Sequence, residues 1–173
     1  LLTQQWGRAE GVAVDGNVAY AVIGPRLVAL DVTDPAAPVL LGQSDILPGL
    51  AVAVIVDSGV AYVATGSVIV ALDVTDPTSM TVLSQVDMGP FVTQLALAGD
   101  TLIAGLSVPA SVPPGFQPGG ISTLDVSTPG QLRLLDHAPL PSPVYALASD
   151  ENMVYAAHSG ATDFYALDIS NPA

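Results

Sequence analysis

Four copies of one short motif recur along the chain, and this recurrence constrains the fold more than any other feature. Each copy is an aliphatic run that ends in an aspartate and is followed by a turn containing proline. The motifs occupy residues 26–35, 68–77, 121–129 and 164–172, and their aspartates are Asp31, Asp73, Asp125 and Asp168. A unit this short cannot bury its apolar side chains alone, so each copy is expected to pack against its neighbours.

The segments between the motifs also match one another. An Ala-Tyr-type strand precedes each motif, a small apolar strand precedes that, and an aliphatic strand follows the proline turn, as at residues 18–22, 11–14 and 39–43 in the first copy. Glycine, aspartate, asparagine and proline separate these strands, and no segment has a sustained helical period. Four strands in a period of roughly 40 residues are typical of a propeller blade.

We therefore predict an all-β chain that forms a β-propeller of four-stranded antiparallel blades. Residues 1–173 are expected to form a single propeller domain or a fragment of one. The predicted repeat units are approximately 10–46, 50–88, 91–138 and 143–173, the last combined with residues 1–7.

The two ends of the chain fall at complementary positions of the repeat. Residues 1–5 resemble residues 40–44 and have the phase of a fourth strand, whereas the chain ends where the next fourth strand is due. Four blades closing on themselves, with the N-terminal strand completing the last blade, would leave no exposed sheet edge. The other account is a stretch of a larger propeller. We expect the second, because the sequence starts without methionine and ends within a motif.

The strand at residues 27–31 and its copy at 68–73 resemble the strand after which the LVIVD repeat family is named. That family also has an Ala-Tyr strand after Gly-Asn, matched at residues 16–20, and an Asp-Pro turn before an aliphatic strand, matched at residues 34–39. The third copy departs from the pattern, with Thr128 in place of an aspartate and Ile103 in place of the tyrosine. The fourth has Asn171 in place of the aspartate.

The resemblance implies a β-propeller of the kind found on secreted or cell-surface proteins of bacteria and archaea. It also implies no general catalytic motif, so no catalytic residue can be transferred. We accordingly predict an extracellular or cell-surface location and no enzymatic activity.

The chain is strongly acidic. It has a formal net charge of −13, and its cations are three arginines, Arg8, Arg26 and Arg133. Binding to nucleic acid or to an anionic membrane surface is disfavoured, because both require a cationic footprint. No apolar run is long enough to span a bilayer. The acidity favours solubility, with cation binding or a basic partner as the alternative.

The sequence contains none of the common catalytic or metal-binding motifs. It has no cysteine, which excludes disulfides and thiolate chemistry. The histidines His137 and His158 are not spaced as metal ligands on one element. We predict no cofactor and no metal site.

The four motif aspartates form the obvious polar set. Each lies late in the third strand of its unit, where an aspartate can accept backbone hydrogen bonds from the following turn. The alternative is a ring of carboxylates that binds a cation. Recurrence in every unit favours the structural role, since one site requires asymmetry. Acidic residues in the turns between first and second strands are interpreted as hairpin residues suited to positive φ.

A long insertion in the third unit, residues 105–120, is the best candidate for a binding edge. It joins the second and third strands, a connection that lies on the same propeller face as the links between blades. With the corresponding connection of the fourth unit, it is predicted to place Phe116, Gln117, His158 and Asp163 on one rim. The alternative is a loop that packs over a neighbouring blade or subunit.

Two classes of function remain open at this level. The first is a non-catalytic propeller that binds a protein partner or acts as a scaffold, as a subunit of a larger assembly. The second is a propeller hydrolase or dehydrogenase whose catalytic residues lie mostly outside this segment. The predicted innermost strands carry no charge in mid-strand, which disfavours the second class.

Overall fold

The structure of the chain is a computed structural model that describes residues 8–107, 119–150, 152–158 and 164–170. Within these ranges the chain is built from antiparallel β-strands and contains no helix. The strands form four separate sheets, three with four strands and one with three described strands. Each sheet takes its strands in chain order, as a blade does.

The strands of each blade follow one another without interruption by another blade. Blade 1 consists of β1 (Ala9–Asp15), β2 (Val18–Ile23), β3 (Arg26–Asp31) and β4 (Val39–Gln43). Blade 2 consists of β5 (Ala51–Asp57), β6 (Val60–Thr65), β7 (Val68–Asp73) and β8 (Thr81–Asp87). Blade 3 consists of β9 (Phe91–Ala98), β10 (Thr101–Ser107), β11 (Gly119–Asp125) and β12 (Arg133–Leu140). Blade 4 consists of β13 (Val144–Ser149), β14 (Met153–His158) and β15 (Phe164–Asp168).

The insertion of blade 3 is shorter than predicted. The hairpin of β10 and β11 continues through the pairs Gly105↔Ile121, Leu106↔Gly120 and Ser107↔Gly119. The flanks assigned to the loop are therefore strand, because their backbone groups pair across the hairpin. Residues 108–118 lie outside the described residues. The fourth strand also extends further than expected, to Leu140, beyond the predicted unit boundary.

The blades pack in sequence through their innermost strands. β1 contacts β5, β5 contacts β9, and β9 contacts β13. Apolar cores lie between consecutive blades. Tyr20 and Leu27 of blade 1 pack with Val63 and Leu72 of blade 2, and equivalent clusters join blades 2 and 3 and blades 3 and 4.

This arrangement explains the composition of the second strands. A sheet covered by neighbours on both faces buries every side chain of its middle strands, so these strands are apolar without alternation. In β6, all residues from Ala61 to Thr65 are buried. The outer strand β8 is mostly exposed and carries polar residues.

Because the strands of a blade are antiparallel, its two ends carry different turns and links. At one end lie the β2–β3 turn, its equivalents and the links between blades, residues 44–50, 88–90 and 141–143. We call this end the linker face. At the other end lie the turns from first to second strand and from third to fourth strand. We call it the aspartate face, after Asp15, Asp31, Asp57, Asp73 and their counterparts in blades 3 and 4.

Candidate binding surfaces

The motif aspartates fix the turns of the aspartate face. The Oδ1 atoms of Asp31, Asp73, Asp125 and Asp168 accept hydrogen bonds from the backbone N–H two residues on, at 2.8, 2.9, 3.0 and 2.8 Å. Oδ1 of Asp34 and Oδ1 of Asp76 do the same in the following turn, at 3.0 and 2.9 Å. These are Asx turns, in which the side chain replaces a backbone acceptor. Each carboxylate is engaged locally, within its own turn.

The same hydrogen bonds favour the ionised carboxylates. The hydroxyl of Thr75 donates to Oδ1 of Asp73 at 2.6 Å, and together with the Thr75 N–H it holds the pKa of Asp73 below its ordinary value of 3.8. The hydroxyl and N–H of Ser127 lower the pKa of Asp125, with a further contribution from Arg133, whose Nη2 lies 3.1 Å from Oδ2. Hydrogen bonds to the charged form stabilise it, which is why the pKa falls.

The acidic residues of the hairpin turns play a different part from the one predicted. Among the described residues the only non-glycine with positive φ is Ser58, at 49°, and its neighbour Gly59 is at 78°. The equivalent positions Gly16 and Gly99 have φ of 55° and 54°. The prediction that the acids themselves suit positive φ was wrong. Asp15 and Asp57 end their strands, and the next residues make the turn.

The aspartates of this face do not converge. In the described part of the chain, no group of three or more histidine, aspartate or glutamate side chains is placed to hold a metal ion. A small depression of about 210 Å³ lies on this face between blades 2 and 3, and its lining includes Asp57, Tyr62 and Asp100.

The linker face exposes apolar side chains, whereas the aspartate face exposes carboxylates. Large apolar side chains are exposed in or next to every described link between blades. They are Ile46, Leu50, Phe91 and Tyr145, with exposed fractions of 71%, 69%, 52% and 59%. Isolated exposed apolar residues are ordinary, but apolar residues recurring at one end of every junction form a surface suited to a partner.

Backbone hydrogen bonds hold these links in place. The N–H of Ala51 donates to the carbonyl of Gly24 at 2.9 Å, and the N–H of Val92 donates to the carbonyl of Gly66 at 2.8 Å. Each bond connects the start of an innermost strand to the second turn of the preceding blade. The side chain of Arg26 also donates to the carbonyl of Ser44. The exposed side chains are therefore presented by a fixed backbone.

A cleft of about 610 Å³ opens on the linker face between blades 1 and 2. Its walls are the β2–β3 turn at Gly24 and Pro25 and the start of β5, and its mouth carries an ion pair. In that pair Nε of Arg8 lies 3.0 Å from Oε1 of Glu10, with both side chains exposed to water. Exposed pairs of this kind contribute little to stability. The cleft combines an apolar floor with one pair of charges at its edge.

The position of Glu10 corrects the predicted start of β1. The strand begins at Ala9 rather than Gly11, so Glu10 is its second residue, near the start of the strand rather than in its middle. The glutamate sits at a register shift between Ala9 and Gly11, where the strand pairing with β2 is irregular. Such an irregularity explains why the alternating pattern did not reveal the start of the strand.

The predicted rim of Phe116, Gln117, His158 and Asp163 is only partly placed. Phe116, Gln117 and Asp163 lie outside the described residues. His158 ends β14, and its backbone is paired with that of Val144 at the start of β13, next to the link from blade 3. Sequence reasoning missed Ile46, Leu50, Phe91 and Tyr145. The available signal was that Leu50, Phe91 and Tyr145 lie immediately before, or at the start of, an innermost strand, whereas Ile46 lies within the link that leads to β5.

Comparison with known proteins confirms the predicted fold. The chain aligns with the crystal structure of the computationally designed Ika4 protein at a TM-score of 0.75 and 18% identity, over 97% of this chain and 95% of that one. It aligns with the computationally designed Ika8 protein at a TM-score of 0.71 and 17% identity, over 95% of this chain and 47% of that one. The chain is a four-bladed β-propeller.

The predicted family resemblance is carried by the first two blades. The model of the LVIVD repeat matches residues 6–45 and 48–88. These two matches cover blades 1 and 2 and confirm the predicted resemblance to the LVIVD-repeat family. No curated protein matches the chain significantly. In the described part of the chain, no helix has the length and apolar character needed to cross a membrane.

Proposed function

We propose that this propeller is a non-catalytic protein-interaction module of an extracellular or cell-surface protein, and that it binds its partner through the linker face. The observation that carries the proposal is the recurrence of exposed apolar side chains at the links, Ile46, Leu50, Phe91 and Tyr145. Protein-binding surfaces are enriched in aromatic and large aliphatic residues at their centre, with polar groups at the rim. The ion pair of Arg8 and Glu10 supplies such a rim beside the cleft.

The fixed backbone of the links supports the same proposal. Binding costs less when the contact residues are already ordered, because little conformational freedom is lost. The hydrogen bonds from Ala51 to Gly24 and from Val92 to Gly66 order the links in advance. The location is supported by composition, since a lysine-free, cysteine-free chain with a net charge of −13 suits an exported protein.

The partner-binding part of the proposal is tested by comparing two variants as immobilised baits. Leu50→Asp combined with Phe91→Asp places charges on the linker face. Val82→Asp combined with Leu134→Asp places the same charges on exposed positions of the outer strands β8 and β12, with 52% and 49% exposure. Envelope and secreted fractions of the source cells are passed over the wild type and both variants, and bound proteins are quantified by mass spectrometry.

A protein retained by the wild type and by the outer-strand variant, and lost by the linker-face variant, is the expected result. Equal retention by all three baits would refute the linker face as the binding surface. Location is tested separately by protease treatment of intact cells, where the propeller should be digested while a cytoplasmic marker is protected.

A further inference from the structure

The junction between blades 2 and 3 differs from the junction between blades 1 and 2 in the use of one hydroxyl group. At the earlier junction the hydroxyl of Tyr20 donates a hydrogen bond of 3.2 Å to the carbonyl of Val74 in blade 2. Tyr62 holds the equivalent position in β6 and is only 4% exposed, but its hydroxyl has no hydrogen-bond partner among the described residues. A polar group without a partner in a buried side chain is costly, so a ligand that pairs with it is favoured.

The side chain of Tyr62 lines the depression of about 210 Å³ on the aspartate face. The carboxylates of Asp57 and Asp100 line the same depression and are exposed to solvent. Burial raises the pKa of Tyr62, and the charges of Asp57 and Asp100 raise it further. Both carboxylates therefore act on the phenol, and they create a negative potential beside its unpartnered hydroxyl.

The second carboxylate has no counterpart at the earlier junction. The carbonyl of Asp100 accepts a hydrogen bond of 2.9 Å from the N–H of Val126, and the carbonyl of Gly59 accepts one of the same length from the N–H of Val74. Asp100 thus stands where the earlier junction has a glycine, and its backbone is held in place. Beside Tyr20 the charge that raises the tyrosine pKa, after burial, is that of Asp15 alone.

The described ion pairs leave the two carboxylates without a cation. The chain has no lysine, and these pairs join Arg8 to Glu10 and Arg133 to Asp125. A metal ion fits the depression poorly. Calcium takes roughly six to eight oxygen ligands, whereas no three acidic or histidine side chains are grouped around a common point in the described part of the chain.

The size and the walls of the depression favour a guanidinium group. Its volume is several times the roughly 30 Å³ that one water molecule occupies in the liquid, so it admits a group larger than a bare ion. A guanidinium group is planar and weakly hydrated, so it can lie against apolar walls while its N–H groups donate to carboxylates. An ammonium group is more strongly hydrated and loses more on entering. The apolar part of the lining comprises Val60, Leu97, Val126 and Pro129.

We propose that the depression lined by Asp57, Tyr62 and Asp100 binds an arginine side chain of a protein partner. The two carboxylates accept hydrogen bonds from the guanidinium group, and the oxygen of the Tyr62 hydroxyl accepts another. The site lies at the opposite end of the propeller from the linker face and does not depend on the interaction proposed there. The net charge of −13 adds a long-range attraction for a basic partner.

Titration of the isotope-labelled chain with N-acetyl-argininamide, followed by NMR chemical shifts, tests the proposal with the arginine side chain alone. The signals of the turns that carry Asp57 and Asp100 should shift and saturate. The expected Kd is about 1 mM, because a ligand of this size makes few contacts. N-acetyl-citrullinamide has nearly the same shape without the charge and should leave these signals unmoved.

Two substitutions separate the hydroxyl from the charge. Tyr62→Phe removes only the hydroxyl and should weaken binding by about 5-fold, and Asp100→Asn should weaken it by about 10-fold or more, because it removes a charged acceptor. Asp15→Asn is the matched control. It removes the same charge from the equivalent turn of blade 1, where the Tyr20 hydroxyl is already hydrogen-bonded, and should leave the Kd unchanged.

Several outcomes overturn the proposal. They are turn signals that stay unmoved well above the expected Kd, equal binding of the citrulline compound, and an unchanged Kd in either Tyr62→Phe or Asp100→Asn. N-acetyl-lysinamide and calcium chloride are titrated in parallel. If the lysine compound binds as tightly as the arginine compound, or if calcium saturates the same signals at lower concentration, the depression is not an arginine site.

Discussion

At the scale of single residues, one repeat position carries different interactions in successive blades. Tyr20 and Tyr62 are buried at equivalent junctions, and burial raises the pKa of both, with nearby aspartates adding to the effect. Of these two tyrosines, only Tyr20 donates a hydrogen bond to a described residue of the next blade. At the third position Ile103 fills the same space with no polar group. The repeat therefore specifies a large side chain at this position, and the hydrogen bond from the tyrosine hydroxyl to the next blade is an addition in blade 1.

Replacing Tyr20 with phenylalanine should lower the free energy of unfolding by about 0.5–1.5 kcal/mol, the net contribution of one intramolecular hydrogen bond. The ring and its packing stay. Tyr62→Phe is the control, because the Tyr62 hydroxyl donates no hydrogen bond to another described residue, and it should change stability little. Urea unfolding followed by fluorescence measures both. Equal losses in the two variants would show that the bond to Val74 contributes nothing of its own.

Replacing Asp73 with asparagine should destabilise the protein at neutral pH, and the difference from wild type should shrink in acid. The folded protein holds the pKa of Asp73 below 3.8. A lowered pKa contributes stability above the unfolded value, and this contribution is lost as the pH falls through the folded value. The window therefore lies below about pH 4. Thermal unfolding midpoints between pH 7 and pH 2 measure the effect.

Asp45→Asn is the matched control for this pH dependence. It removes the same charge from an exposed position whose carboxylate accepts no hydrogen bond from another described residue. Its midpoint should follow the wild type throughout the range. An Asp73→Asn variant as stable as the wild type at pH 7 would contradict the role of the carboxylate in the turn.

At the scale of elements, the outer strands set how closely neighbouring blades approach. A Cβ atom on Gly42 in β4 would lie 2.5 Å from the carbonyl oxygen of Pro77 in the next blade. Ser84, the equivalent residue of β8, donates a hydrogen bond of 2.5 Å to the carbonyl of Pro129. The equivalent proline carbonyl therefore packs against a glycine backbone at the first junction and accepts a hydrogen bond from a serine hydroxyl at the second.

Replacing Gly42 with alanine should cost about 1–3 kcal/mol of stability, because the new methyl group meets backbone atoms that cannot rotate away. Gly130→Ala is the control, since no atom lies within 4 Å of its added Cβ and its φ is not positive. Chemical denaturation of both variants separates the clash from the general effect of replacing glycine. A neutral Gly42→Ala would mean that blades 1 and 2 can separate at their outer edge without loss.

At the scale of the whole molecule, the cost of a substitution should depend on how deeply its repeat position is buried between described blades. Leu72→Ala should cost about 2–5 kcal/mol, because Leu72 is 1% exposed within the first core. Leu30→Ala, the same change at the equivalent position of blade 1, should cost clearly less, because Leu30 is only half-buried. Chemical denaturation measures both variants. Equal costs would show that Leu30 contributes as much packing as Leu72.

Most of the architecture could be predicted from the sequence, because the same pattern of strands and turns recurs in four copies. The Leu-Asp motifs located the third strands, and the Ala-Tyr segments located the second. The start of β1 was missed because Glu10 sits at a register shift that breaks the alternation. The ends of the insertion were missed because glycines such as Gly105 and Gly119 read as loop.

The candidate surfaces were harder to predict than the fold. Ile46 and Leu50 lie in a link, and Phe91 and Tyr145 lie at the start of innermost strands. A repeat alignment treats these positions as variable, and only the arrangement of the blades places them on one side. No local pattern distinguishes the exposed Val12 from its buried counterpart Val54, since the described residues place a neighbouring blade only against Val54.

The uneven distribution of charge between the two ends of the propeller orients it. Most aspartates of the turns lie at one end, with Arg133, whereas Arg8 and Arg26 lie toward the other, beside Glu10, Asp45 and Asp87. A molecule with such a built-in electric polarity turns in the field of a charged surface, and the field acts before any contact is made. Near a polyanionic layer, which repels the acidic chain as a whole, the propeller turns its aspartate face toward the solvent and its apolar links toward the layer.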